Sequence, residues 1–110
     1  MTKALKITTA NTIEAVEING LADYQAAVGG FIESIPLGDD HGMVINEDGK
    51  VEHLPRNPLA TLLAFTFRSG IANDDYIVGD AVIIGTNDAG DWTDYQDALT
   101  DEIRTIAETL

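Results

Sequence analysis

The chain has 110 residues, 45% of them hydrophobic and none of them cysteine, which describes a single domain with its own core and without disulfide or thiol chemistry. Nineteen acidic residues against six basic ones give a formal net charge of -13. That balance disfavours nucleic acid and anionic membrane as direct partners. It leaves plain solubility, attraction to a basic protein surface, or imitation of a phosphate backbone. His41 and His53 are thin material for a metal site, so neither metal nor cofactor is expected.

No apolar run of signal-peptide or membrane-spanning length follows Lys3 and Lys6, so a soluble cytoplasmic protein is the expectation. Residues 3–9 and 12–18 alternate and make an N-terminal hairpin around Ala10-Asn11. In the second strand Ile13, Ala15 and Glu17 share one face, and Thr12, Glu14, Val16 and Ile18 the other. Asn19 can cap a short helix over 20–28, which Gly29-Gly30 ends. A strand over 31–37 sets Phe31, Glu33, Ile35 and Leu37 against Ile32, Ser34 and Pro36. Both sets are largely apolar, which predicts a strand covered on both sides.

Gly38 to Gly42 then forms a hairpin loop, with Met43-Val44-Ile45 returning beside the 31–37 strand. Asn46-Glu47-Asp48-Gly49 fits a type I turn, and residues 50–54 are expected as one more short strand. Asn57-Pro58 is the clearest helix start, with a strong cap followed by a proline that gives up no hydrogen bond. Its helix places Leu59, Leu62, Leu63 and Phe67 on one face and closes at Ser69-Gly70. Residues 72–76 read as a polar loop, and Ala81-Val82-Ile83-Ile84 as a buried strand. Thr93 to Gln96 resembles a capping box for a last helix, whose core side would be Tyr95, Leu99, Ile103, Ile106 and Leu110. The pattern is α+β, one domain over 1–110, a mostly antiparallel sheet with three helices at about 20–28, 57–68 and 93–109.

Several residues stand out chemically. Glu33 lies in an apolar strand, where an unpaired buried carboxylate would need a partner or a raised pKa; an edge position in water is the plainer reading. Lys50, one of few basic residues, follows a turn that the needs of a hairpin already explain. That loop is neither an EF-hand nor a P-loop, because Val44 and Pro55 fall at ligand positions and Val51 replaces Ser/Thr. Arg56 stands beside the Asn57 helix start, where an anion could bind and where ordinary capping also suffices. Asp94, Asp97, Asp101 and Glu108 fall on one helical stripe, a phosphate mimic or merely a solvated face.

Four pieces in order, Val28-Gly29-Gly30-Phe31-Ile32-Glu33, Asn46-Glu47-Asp48-Gly49-Lys50, Leu54-Pro55-Arg56-Asn57 with Ala60-Thr61, and Val78-Gly79-Asp80 with Gly85, resemble the domain of unknown function 3846 family of small phage, actinobacterial and other bacterial proteins. The likeness covers residues 28–85 and leaves out the first strands and the last helix. It implies a phage-type accessory protein and carries no activity. Where such pieces meet they often line a pocket. The expected ligand-binding set is therefore Gly29, Gly30, Glu33, Asn46, Lys50, Pro55, Arg56, Asn57, Thr61 and Asp80. No catalytic residue is expected.

The expectation that follows is a non-enzymatic binder of a small anionic, nucleotide-like ligand. In a phage setting it would sequester a host defence signal in the host cytoplasm, and a homo-oligomer is compatible with that role. The alternative is an acidic DNA mimic or interaction inhibitor that meets a basic host protein through the C-terminal helix. An enzyme using Glu33 and Asp80 as an acid/base pair is a third reading, and nothing supplies it with a nucleophile or metal.

Overall fold

The structure, a computed structural model, describes all residues from Met1 to Leu110. The elements run β1 (Thr2–Ile7), β2 (Ile13–Ile18), α1 (Leu21–Val28), β3 (Ile32–Leu37), β4 (His41–Asn46), α2 (Pro58–Thr66), β5 (Ala81–Thr86), β6 (Trp92–Thr93) and α3 (Ala98–Ala107). They form the α+β domain that the alternating patterns predict: one antiparallel sheet of order β2-β1-β5-β4-β3, with β6 also paired to β5.

Alternation divides the sheet into two faces. Leu5, Ile7, Met43, Ile45, Ala81 and Ile83 point to one side and pack with Leu59, Leu63, Leu99 and Ile103 of α2 and α3. Ala4, Val44, Val82 and Ile84 point to the other, which α1 covers with Tyr24 and Val28. The two central strands are accordingly buried along almost their whole length. Each fully buried Leu or Ile contributes about 1.5–3 kcal/mol by leaving water. No helix is long and apolar enough to cross a membrane.

Six local expectations are corrected. The strand over residues 32–37 is not covered on both sides: it is the sheet edge, and within it only Leu37 is buried. Glu47 donates its N–H to the carbonyl of Phe31. By two-residue periodicity, the backbone of Ile32, Ser34 and Pro36 therefore faces away from β4. Pro36 lacks an N–H and is tolerated there for that reason; a proline inside a strand is itself the signature of an edge.

Residues 50–54 form no strand. They coil through successive turns, in which Glu52 donates to Asp48, His53 to Lys50 and Leu54 to Gly49. Gly20 rather than Asn19 occupies the N-cap of α1, so no side chain caps this helix.

The last helix starts at Ala98 rather than residue 93. Thr93 pairs with Gly85, and the Asp94 carbonyl passes so close that a Cβ on Gly85 would lie 2.1 Å from it. The Asp94 carboxylate accepts the Lys3 backbone N–H at 2.8 Å, and Tyr95 donates its N–H to the Lys3 carbonyl. The supposed cap is thus tied to β1. At the far end Leu110 is exposed rather than in the core. The helix over 57–68 is also shorter than expected: α2 gives way to Phe67 as C-cap, then to Arg68 in the left-handed region at φ 56°.

Candidate functional site

The four motif pieces do meet, and they meet as a joint of small residues. Asn46 is buried, donates from Nδ2 to the Val28 carbonyl at 3.2 Å, and accepts the Asp48 N–H at Oδ1. A Cβ on Gly30 would approach Asn46 Nδ2 to 2.9 Å. One on Gly49 would come to 2.7 Å from Val78, and one on Gly79, at φ 74°, to 2.9 Å from Leu54. Arg56 forms an isolated antiparallel bridge with Val78. The glycines recur here because the chain segments approach within a side chain's thickness.

Asn57 sits at the centre of the joint, completely buried. Its Nδ2 donates to the carbonyls of Ile7 and Gly79, each at 2.9 Å, while Oδ1 accepts the Ala60 N–H at 3.0 Å. Thr61 Oγ1 donates to the Asn57 carbonyl and accepts the Ile77 N–H. Asn11 Oδ1 accepts the Leu59 N–H. The start of α2 is therefore filled by the protein's own acceptors. Asn57 and Thr61 hold the fold together at this point, and an anion would need to approach through Arg56 instead.

Two hollows flank the joint on opposite faces of the sheet. The first, of about 240 Å³, brings together Glu33, Asn46 and Lys50 of the expected set, with Glu47, Asp75 and Tyr76 and a wall of Ile35, Ile45, Ile71 and Val78. The second, of about 330 Å³, gathers Gly29, Pro55 and Asp80 with Lys6 and Thr9. Gly30, Arg56, Asn57 and Thr61 line neither. Glu33 and Asp80 thus lie in different hollows and cannot share a proton. Asp80 accepts the Thr9 N–H at 3.1 Å and stands 3.7 Å from the Lys6 ammonium.

Tyr76 organises the first hollow. The Arg56 guanidinium carbon lies 3.9 Å from its ring centroid and Lys50 Nζ 4.6 Å, so two of the chain's six cations share one aromatic face system. Lys50 is also paired with Asp75, whose carboxyl it holds below the usual range with help from the Tyr76 N–H. The ion pairs of the chain are Lys3–Asp97, Lys6–Asp80 and Lys50–Asp75. Arg56 has no carboxylate within reach. Tyr76 and Asp75 were passed over in the sequence as polar loop; an aromatic ring inside an otherwise polar stretch was the available signal.

The acidic stripe is broken up. Asp94 and Asp97 precede α3 and bind Lys3, whose Nζ also lies 5.1 Å from the Tyr95 ring centroid. Asp97 is the main reason that the Lys3 ammonium holds its proton to a higher pH than usual. His41 is buried beside this segment and accepts the Gln96 N–H at Nε2, 3.1 Å away. Burial pushes its pKa down, opposed by Asp40 and Glu102. No three His, Asp or Glu side chains converge in a way that could hold a metal ion.

The family described as domain of unknown function 3846 matches residues 1–108. The match takes in the first hairpin and all of α3, so it is wider than the resemblance over residues 28–85. No curated protein and no solved structure matches the chain.

Proposed function

This chain belongs to the domain of unknown function 3846 family, and we propose that it is a non-enzymatic binder of a small anionic, nucleotide-like ligand at the Tyr76 hollow. The observation that carries the reading is Arg56, an exposed guanidinium over an aromatic ring, unpaired in a chain of nineteen acids. A planar cation with free N–H edges suits a phosphate or carboxylate. The hollow beside it falls below the roughly 300 Å³ at which pockets for drug-sized ligands begin. It suits one ring system, with the rest of the ligand lying along the surface toward Arg56. In a phage-encoded setting such binding would sequester a host signal.

Thermal-shift and calorimetric titration with nucleoside monophosphates tests the reading. Binding that Arg56→Ala weakens at least about tenfold, the equivalent of one charge-assisted hydrogen bond, supports it. Absence of binding, or binding indifferent to Arg56, overturns it. The alternative, a basic protein captured by acidic surface, would work through Asp101 and Glu108, because Lys3 engages Asp94 and Asp97. Its partner would be lost steeply as salt rises.

A further inference from the structure

The charges around the Tyr76 hollow narrow the ligand further than the word anionic does. Glu33, Glu47 and Asp75 line it, against Lys50 inside and Arg56 over the Tyr76 ring. Lys50 is already committed to Asp75. Glu33 makes neither an ion pair nor a side-chain hydrogen bond, and its register partner Ile45 forms part of the same wall. An ionised carboxylate has acceptors alone, so a group placed against it must bring donors. A polyanion would meet three carboxylates with one uncommitted cation.

Resting on the binding reading above, we infer that the ligand is a nucleoside monophosphate of the guanine class. Its single phosphate lies at Arg56, and the two adjacent N–H donors of its base, at N1 and the exocyclic amine, lie against the Glu33 carboxylate between Ile35, Ile45 and Val78. Adenine presents a bare ring nitrogen at the equivalent edge and would set a lone pair against the carboxylate. Further phosphates would add charge beside a hollow already lined by Glu33, Glu47 and Asp75, and so add repulsion rather than affinity.

Calorimetric titration of the full chain with GMP, AMP, guanosine and GTP, repeated with Glu33→Gln and Arg56→Ala, tests this. GMP should bind at least roughly tenfold more tightly than AMP, the discrimination expected when one hydrogen-bonding pattern is mismatched, and GTP no more tightly than GMP. Glu33→Gln should erase the preference for GMP without lowering the melting temperature, because Glu33 is exposed and makes no internal bond. Arg56→Ala should bring GMP down to the level of guanosine. AMP binding as well as GMP, or a preference that survives Glu33→Gln, overturns the base assignment while Arg56-dependent binding still stands. No heat with any of the four overturns both.

Discussion

Replacing Asn57 separates a cap from a keystone. Asn57→Ala removes the acceptor for the Ala60 N–H and the donors for two buried carbonyls, those of Ile7 and Gly79. Loss of an Asn cap alone costs about 0.5–2 kcal/mol. A buried group left without its partner costs about 1–3 kcal/mol, and two are orphaned here. Allowing for relaxation, a loss of about 3–5 kcal/mol is expected, in the range of severe core substitutions and a large part of a domain's total stability. Asn57→Asp makes the distinction sharp. As a cap, Asp equals Asn; as a keystone it fails, because a carboxylate cannot donate and would face two carbonyl oxygens. Urea denaturation at pH 7.5 is the assay. Asn57→Asp should be destabilised at least as much as Asn57→Ala. A near-neutral Asn57→Asp would refute the reasoning and return the α2 start to the list of open anion sites.

Three further substitutions follow from the fold. Arg68→Gly should stabilise the chain by about 1 kcal/mol, because a left-handed residue with a Cβ carries a strain of that order and Arg68 sits at φ 56°; a thermal melt checks it. Gly85→Ala should destabilise by about 1–3 kcal/mol, the usual range for overpacking, since its methyl would collide with the Asp94 carbonyl. Loss of the Tyr24–Trp92 edge-to-face contact, followed by near-ultraviolet circular dichroism, would report displacement of β6. His41 makes stability depend on pH: its folded pKa lies below the unfolded value, so the unfolded chain takes up the proton first. The contribution is therefore present above the ordinary histidine pKa of about 6.5 and lost as pH falls toward the folded value. Protonation turns the acceptor for Gln96 into a donor. His41→Gln should flatten the difference between pH 7.5 and 5.5 relative to the parent.

Where a local pattern had one physical cause, the sequence was enough. Alternation sorted both faces of β2 and β3 correctly, and Asn57-Pro58 marked the start of α2, because side-chain periodicity and capping are decided within a few residues. Failures came where distant segments competed for the same groups. Asp94 looked like a cap residue but binds the backbone of Lys3, ninety-one positions away. The apolar character of β3 outweighed Pro36 and the plainer reading of Glu33, both of which pointed to an edge. The motif pieces did converge, yet half of their meaning was steric: Gly30, Gly49 and Gly79 allow close packing. The residue that focuses positive charge, Tyr76, belonged to none of them.

The most direct measurement is a two-dimensional ¹H–¹⁵N spectrum of the labelled chain during titration with GMP. The account predicts that shifts concentrate on the amides of Glu33, Ile45, Lys50 and Tyr76 to Val78 and that in Arg56→Ala they need at least about tenfold more GMP. Shifts confined to the Lys6–Gly29–Asp80 hollow or to α3, or a spectrum that does not move, would contradict it.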